Sequence, residues 1–436
     1  MGSKRIKSAR LARKVKPGTV EPSWFRKLGP GLITGAADDD PSGIATYSQA
    51  GTQFGLNMLW TVLFTYPLMV GIQIVSARIG RVTGKGLARN IRDNYPRWLV
   101  YCIVGLLLIA NTINIAADVS AMGDALSLIL GGPSRLYAAG FGMISLVLQV
   151  FIPYTRYVPI LKWLTLALLT YVATAFVIDV PWGSVAKSVI FPRLEWNTQT
   201  VTMIVAVLGT TISPYLFFWQ ASQEVEEMQC DPAAKPLKQA PNQVRTSFKR
   251  INIDTIIGMG FSNLVAFFII LTTAITLNLH GVTNIQTSAD AATALRPIAG
   301  EFAFLLFSLG IIGTGFLAVP VLAGASAYAV ADAFNWKSGL EQKPAIAKAF
   351  YSVIAISTVI GSLLGFLPVD PIKALFWSAV INGCISVPIM AVMMLMASRG
   401  EVMGHLVISR RLTVLGWLGT LVMAVAVATM FATIAK

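Results

Sequence analysis

Apolar positions in this chain run in long unbroken blocks, without the two- or four-residue rhythm of a half-buried strand or surface helix. Eleven blocks stand out, at 28–54, 56–77, 99–130, 136–153, 157–180, 200–222, 252–278, 300–331, 347–367, 371–397 and 412–433. All but the short fourth reach the roughly 20 residues that a helix needs to cross a bilayer. The pattern predicts an all-α integral membrane protein. Two blocks are interrupted from within. The first carries Asp38, Asp39, Asp40 and Pro41 in GPGLITGAADDDPSGIATYSQAGTQF, and the sixth carries Pro214 in VAVLGTTISPYLFFWQASQEVEE. Proline lacks an amide hydrogen and disfavours α geometry in the residue before it, so both helices are expected to break there.

Composition agrees with the pattern. Of 436 residues, 55% are hydrophobic and only 12% charged, about half the charged share of a soluble protein. The net charge of +14 is read as membrane orientation and not as nucleic-acid binding. With the N-terminus inside, 28 of the 34 Lys and Arg residues fall in cytoplasmic segments. Only Arg135, Lys187, Arg193, Arg296, Lys373 and Lys436 fall outside. The expected protein is multi-pass in the plasma membrane, with a cytoplasmic N-terminus and an extracytoplasmic C-terminus. Residues 1–27 form a basic cytoplasmic tail without the apolar run of a signal peptide, and 28–436 form a single transport domain. Cys102, Cys230 and Cys384 are too scattered for a disulfide framework, and His280 and His405 both fall in predicted loops.

A charge at bilayer depth costs at least about 2.5–3.5 kcal/mol, so intramembrane acids are functional by default. Asp40 can cap the helix that restarts at Pro41, and it can also be the anionic ligand of a cation. One carboxylate has lone pairs enough for both. Successive helical residues point about 100° apart, so at most one of Asp38 and Asp39 is expected to share an ion with Asp40. The two breaks lie five spans apart in helices of opposite direction, as in inverted-repeat transporters whose sites lie between such breaks.

These segments resemble the Nramp superfamily of divalent-metal transporters. The stretch from Gly29 to Trp60 is similar to the family's first-helix pattern around Asp-Pro-Gly-Asn, and GTTISPYLFFWQAS to its sixth-helix pattern around Met-Pro-His. The resemblance implies a LeuT-type fold, with a 5+5 inverted repeat, an eleventh helix, and helices 1 and 6 broken. Asp40 and Pro41 keep the motif, but Ser42 replaces its glycine and Gly43 its asparagine. Ser213 stands at the metal-binding methionine, Tyr215 at the histidine, and Gln220 where a second histidine is common. In span 3, Asp118 keeps one acidic position of the family's proton route and Ile115 takes the other.

The departures point to a harder cation. A thioether selects soft transition metals, whereas Mg²⁺ takes oxygen ligands and usually keeps several waters. The expected metal site joins Asp40, the carbonyls of Ala37 and Thr210, Ser42, Gly43 and Ser213. Asp38, Asp39, Tyr215, Gln220, Asn382 and Asp118 are expected lining. The resemblance implies import of Mg²⁺ and Mn²⁺ without proton coupling, most like the Nramp-related magnesium transporters. The metal is substrate, and no cofactor is expected. The expected partners are divalent metal ions and the lipid bilayer, with no nucleic acid and no obligate protein partner. No phosphate loop, nucleophile–base pair or redox motif is present, so no enzyme is expected. Three alternatives remain at this point: a proton-coupled Mn²⁺/Fe²⁺ carrier, an organic-substrate carrier, and a receptor or scaffold on a transporter-like fold.

Overall fold

The computed structural model describes residues 30–152, 168–285, 287–340, 342–367 and 369–435. The tail 1–27 and the first part of the fifth predicted span, through residue 167, lie outside them. Among the described residues every regular element is helical. The first broken span is α1 (Pro30–Asp38) and α2 (Pro41–Phe54), followed by α3 (Leu59–Thr83), the short α4 (Leu87–Asn94), α5 (Arg97–Leu130) and α6 (Ser134–Phe151). The end of the fifth span is α7 (Leu169–Val177), and α8 (Trp182–Ile190) is a short connecting helix. The second broken span is α9 (Thr198–Thr211) and α10 (Pro214–Cys230). The chain then forms α11 (Val244–Thr276), short helices α12 (Ser288–Thr293) and α13 (Arg296–Ala299), and the long α14 (Ala303–Phe334). It ends in α15 (Lys348–Leu364), α16 (Pro371–Ala397), α17 (Gly400–Met403) and α18 (Arg410–Ile434).

Both predicted breaks fall where proline demands them. α1 stops at Asp38 and α2 restarts at Pro41, while α9 stops at Thr211 and α10 restarts at Pro214. Each proline occupies a first-turn position, where its missing amide hydrogen leaves no bond unmade. The two broken spans run in opposite directions. Tyr47 of α2 meets Thr211 of α9 (3.0 Å between hydroxyl oxygens), while Gln53 meets Gln199 at the far end. Among the described residues, eight helical segments are long and apolar enough to cross a membrane. One of them, Pro41–Thr83, turns back at its middle: Thr52 meets Asn278 beyond the end of α11, while Arg78 returns to Asn252 near its start. Lys348–Leu364 is a shorter apolar helix in the place of the ninth predicted span.

The broken spans are central. All of the apolar stretch within Thr198–Cys230 is buried, against 28% for α18 at the edge. Peripheral helices present Leu106, Ile109, Ile144, Leu264, Ile356 and Leu421 outward, as a hydrocarbon surrounding requires. Close helix approach through small residues sets the broken halves in place. A Cβ on Gly35 of α1 would overlap the backbone of Gly258 in α11, and one on Gly209 of α9 would overlap Ala379 and Gly383 in α16. The amide of Gly31 donates to Asp254 Oδ2 (2.6 Å), which satisfies one orphan donor in the first turn of α1. Below the second break, Arg250 holds the buried Glu224 (2.5 Å) and the half-exposed Glu227 (2.8 Å).

Candidate metal centre

Asp40 sits in extended backbone between α1 and α2 and caps α2, as its sequence position predicts. Its Oδ1 accepts from the Gly43 amide (2.7 Å) and the Ser42 hydroxyl (2.6 Å). Its Oδ2 points away from the cap, towards α5 and α10. There it accepts from the Asn114 amide (3.0 Å) and the Tyr215 hydroxyl (3.3 Å). The same hydroxyl donates to the carbonyl of Ala37 (3.1 Å), which the end of α1 leaves without a helical partner. Asp40, Ala37, Ser42 and Tyr215 therefore form one cluster, each at most 2% exposed. Pro41 makes this possible, because the α-helical partner of the Ala37 carbonyl would be the amide of residue 41, and proline has no amide hydrogen to donate.

The other half-site lies against this cluster. Gly43 packs on Thr210: a Cβ there would stand 3.3 Å from the Thr210 hydroxyl and 3.3 Å from the Asp38 carbonyl. Ser213 turns its hydroxyl back along α9, onto the carbonyls of Thr210 (2.8 Å) and Gly209 (3.0 Å). Two predicted ligands, Ser213 and the Thr210 carbonyl, are thus bonded to each other in this conformation. All of the donors in the cluster are oxygen or nitrogen, with no sulfur.

The predicted lining residues divide. Asp38 and Asp39 both turn from Asp40 towards α11, where the single hydroxyl of Ser262 reaches Asp38 Oδ2 (2.6 Å) and Asp39 Oδ1 (3.0 Å). Gln220 lies deeper in α10 and ties α3 to α11 through Gln73 (2.5 Å) and Thr255 (3.0 Å). Asn382 is buried in α16, and its amide oxygen has no hydrogen-bond partner among the described residues. Asp118 is buried in α5 with neither carboxyl oxygen hydrogen-bonded among the described residues, one helical turn beyond the Asn114 that contacts Asp40. Both histidines lie beyond the ends of the long helices, His280 in a short 3-10 turn after α11 and His405 in a loop.

Residues 31–433 match the family model described as Nramp, natural resistance-associated macrophage protein-like. The chain belongs to this family. It is 27% identical over 425 residues to the divalent metal cation transporter MntH of Klebsiella pneumoniae (strain 342), spanning 96% of this chain and 95% of that relative. Among solved structures it is similar to a manganese transporter of Eremococcus coleocola bound to an aromatic bis-isothiourea compound. That likeness has a TM-score of 0.69 and 17% identity, over 97% of this chain and 90% of the other. It is also similar to MhsT in complex with L-phenylalanine, with a TM-score of 0.59 and 13% identity, over 92% and 98%. This Nramp chain has the LeuT-type fold, with two oppositely directed broken spans at its centre.

Within the Nramp frame, one residue escaped sequence reasoning. Asn114 is the α5 side chain that faces Asp40, whereas Ile115 packs against Gly361 of α15. A signal was present: Asn111, Asn114 and Asp118 are polar at helical spacing in the middle of a predominantly apolar helix, so they share one stripe. Asn111 uses that stripe to grip α14, donating to the Leu322 carbonyl (3.0 Å) and Ser326 (2.9 Å).

Proposed function

We propose that this chain carries divalent metal ions across a membrane, taking Mg²⁺ as well as Mn²⁺ at a site between the two helix breaks. The observation that carries the reading is the convergence of Asp40 Oδ2 and the Ala37 carbonyl on one buried point, with Ser213 where a thioether would stand. The two converging atoms are both oxygens, a pair that does not favour soft metals and suits a cation that keeps part of its water shell. The Klebsiella relative is a divalent metal cation transporter and the Eremococcus one a manganese transporter, which supports the same reading. The proposed orientation follows the Lys and Arg asymmetry, with the N-terminus in the cytoplasm.

The buried arrangement corresponds to an occluded state, and opening one side at a time supplies alternating access. Uptake driven by the metal gradient and voltage is energetically sufficient. A divalent charge moving through 100 mV gains about 4.6 kcal/mol, twice the value for one elementary charge. One observation favours a second reading, a proton-coupled carrier: Asp118 is buried near Asp40 without a hydrogen-bond partner among the described residues. Mg²⁺/Mn²⁺ competition in proteoliposomes tests the leading reading. Mn²⁺ uptake that ignores millimolar Mg²⁺ would overturn it.

A further inference from the structure

An ionised carboxylate offers about four lone-pair sites, and Asp40 has four donors. Oδ1 holds the Ser42 hydroxyl and the Gly43 amide, and Oδ2 holds Asn114 and Tyr215. No lone pair is left over for a cation, so inner-sphere binding at Asp40 must displace one donor. The Gly43 amide is backbone in the first turn of α2, and Ser42 closes the same cap. Asn114 is held from behind, since Ser378 donates to its amide oxygen at 2.6 Å. Tyr215 makes the longest of the four contacts, and its single hydrogen is shared with the Ala37 carbonyl.

The two oxygens that Tyr215 bridges are those on which the metal-site reading rests, and the present inference depends on that reading. We propose that Tyr215 is a built-in competitor of the transported cation. Its hydroxyl occupies Asp40 Oδ2 and the Ala37 carbonyl in this conformation, and the arriving ion displaces it from both. The O–H supplies a partial positive charge that a metal ion replaces in full. When the ion leaves, the hydroxyl closes on the same oxygens. Neither is then left buried and unpaired, a state that would otherwise penalise release. Tyr215 therefore weakens binding and speeds turnover, and it does so through oxygens it does not itself supply.

The test compares wild type with Tyr215→Phe in the full-length protein, using Mn²⁺ alone and then Mg²⁺ alone as titrants. The phenylalanine variant is expected to bind about ten-fold tighter, equal to about 1.4 kcal/mol. In proteoliposomes KM and kcat should fall together, because release slows. The metal-free variant should melt at lower temperature while the metal-induced rise in Tm grows; a merely structural role would lower both forms alike. Tyr215→Leu, also lacking the hydroxyl, should shift affinity in the same direction if the phenylalanine variant does not fold. Unchanged or weaker binding in the folded variant overturns the proposal and makes the hydroxyl a bystander or a ligand. Asp40→Asn separates the two levels of argument. If it binds Mn²⁺ like wild type, the metal-site reading fails and the inference with it. If it loses binding while Tyr215→Phe does not tighten, only the inference fails.

Discussion

Asn114 donates its side-chain amide to Asp40 Oδ2 across 3.0 Å, joining the middle of α5 to the break in the first spanning helix. The contact does not stand alone. Ser378 of α16 donates to the Asn114 amide oxygen, so one side chain connects three spans at the carboxylate. A buried carboxylate keeps its position only while such donors define it, and Asn114 is the one contributed by a helix outside both breaks.

Removing that donor should be costly. Asn114→Ala takes away a hydrogen bond to a charged group and leaves the Ser378 hydroxyl without its inter-helix acceptor. A loss of about 1.5–3 kcal/mol in stability is expected, together with a several-fold fall in Mn²⁺ uptake. Ser378→Ala should weaken both in the same direction and by less. Because the two residues share one chain of bonds, the double variant should lose less than the sum of the singles. Strict additivity in a thermal-melt cycle would show that the chain does not act as a unit.

Asp40 has two roles, and two substitutions separate them. Asp40→Ala removes both the carboxylate and the cap of α2, at a capping cost of about 1 kcal/mol. Asp40→Asn keeps an acceptor for the Gly43 amide and removes only the charge. Transport should be lost in both, with the alanine variant melting lower than the asparagine variant. Near-normal uptake by a folded Asp40→Asn protein in liposomes would remove Asp40 from the metal site.

Selectivity should respond to Ser213. Ser213→Met introduces a soft ligand and frees the carbonyls of Thr210 and Gly209 that the serine hydroxyl now engages. Preference should move towards Mn²⁺ and Cd²⁺ at the expense of Mg²⁺, read as the Mg²⁺ concentration that halves Mn²⁺ uptake. Gly43→Asn should add to the shift less readily. Its Cβ would stand only 3.3 Å from the Thr210 hydroxyl and the Asp38 carbonyl, so the break must widen slightly. An unchanged competition profile in Ser213→Met would mean that this position does not face the ion.

Energetics can be read with a trapped pH dye. Both histidines lie beyond the ends of the long helices, so the side chain whose unperturbed pKa falls near working pH is missing from the path. Metal influx should therefore leave the vesicle interior close to its starting pH while responding to imposed voltage. Metal-dependent acidification that disappears in Asp118→Asn would establish the proton-coupled reading instead.

Local chemistry made the two breaks legible in advance. Pro41 and Pro214 each lack an amide hydrogen, so the helix ends around them follow from the neighbouring residues alone. Span lengths follow equally directly from bilayer thickness, and the capping role of Asp40 from its place beside Pro41. The partners of the breaks could not be read that way. Asn114 lies 74 positions from Asp40, Ser378 lies 264 from Asn114, and Ser262 lies 224 from Asp38. The stripe of Asn111, Asn114 and Asp118 marks one face of α5, but nothing in the local pattern says which helix that face will meet, because the rotation of each span is set by packing. That rotation decided that Asn114, and not Ile115, meets the carboxylate. It turned Asp38 and Asp39 together towards α11, and it turned the Ser213 hydroxyl back onto α9. It also brought the Tyr215 hydroxyl onto the Ala37 carbonyl. The sequence by itself determined where backbone oxygens would be freed and that an acid would stand beside them. Only the tertiary structure decided which donors occupy those oxygens, since that depends on contacts between helices far apart in the chain.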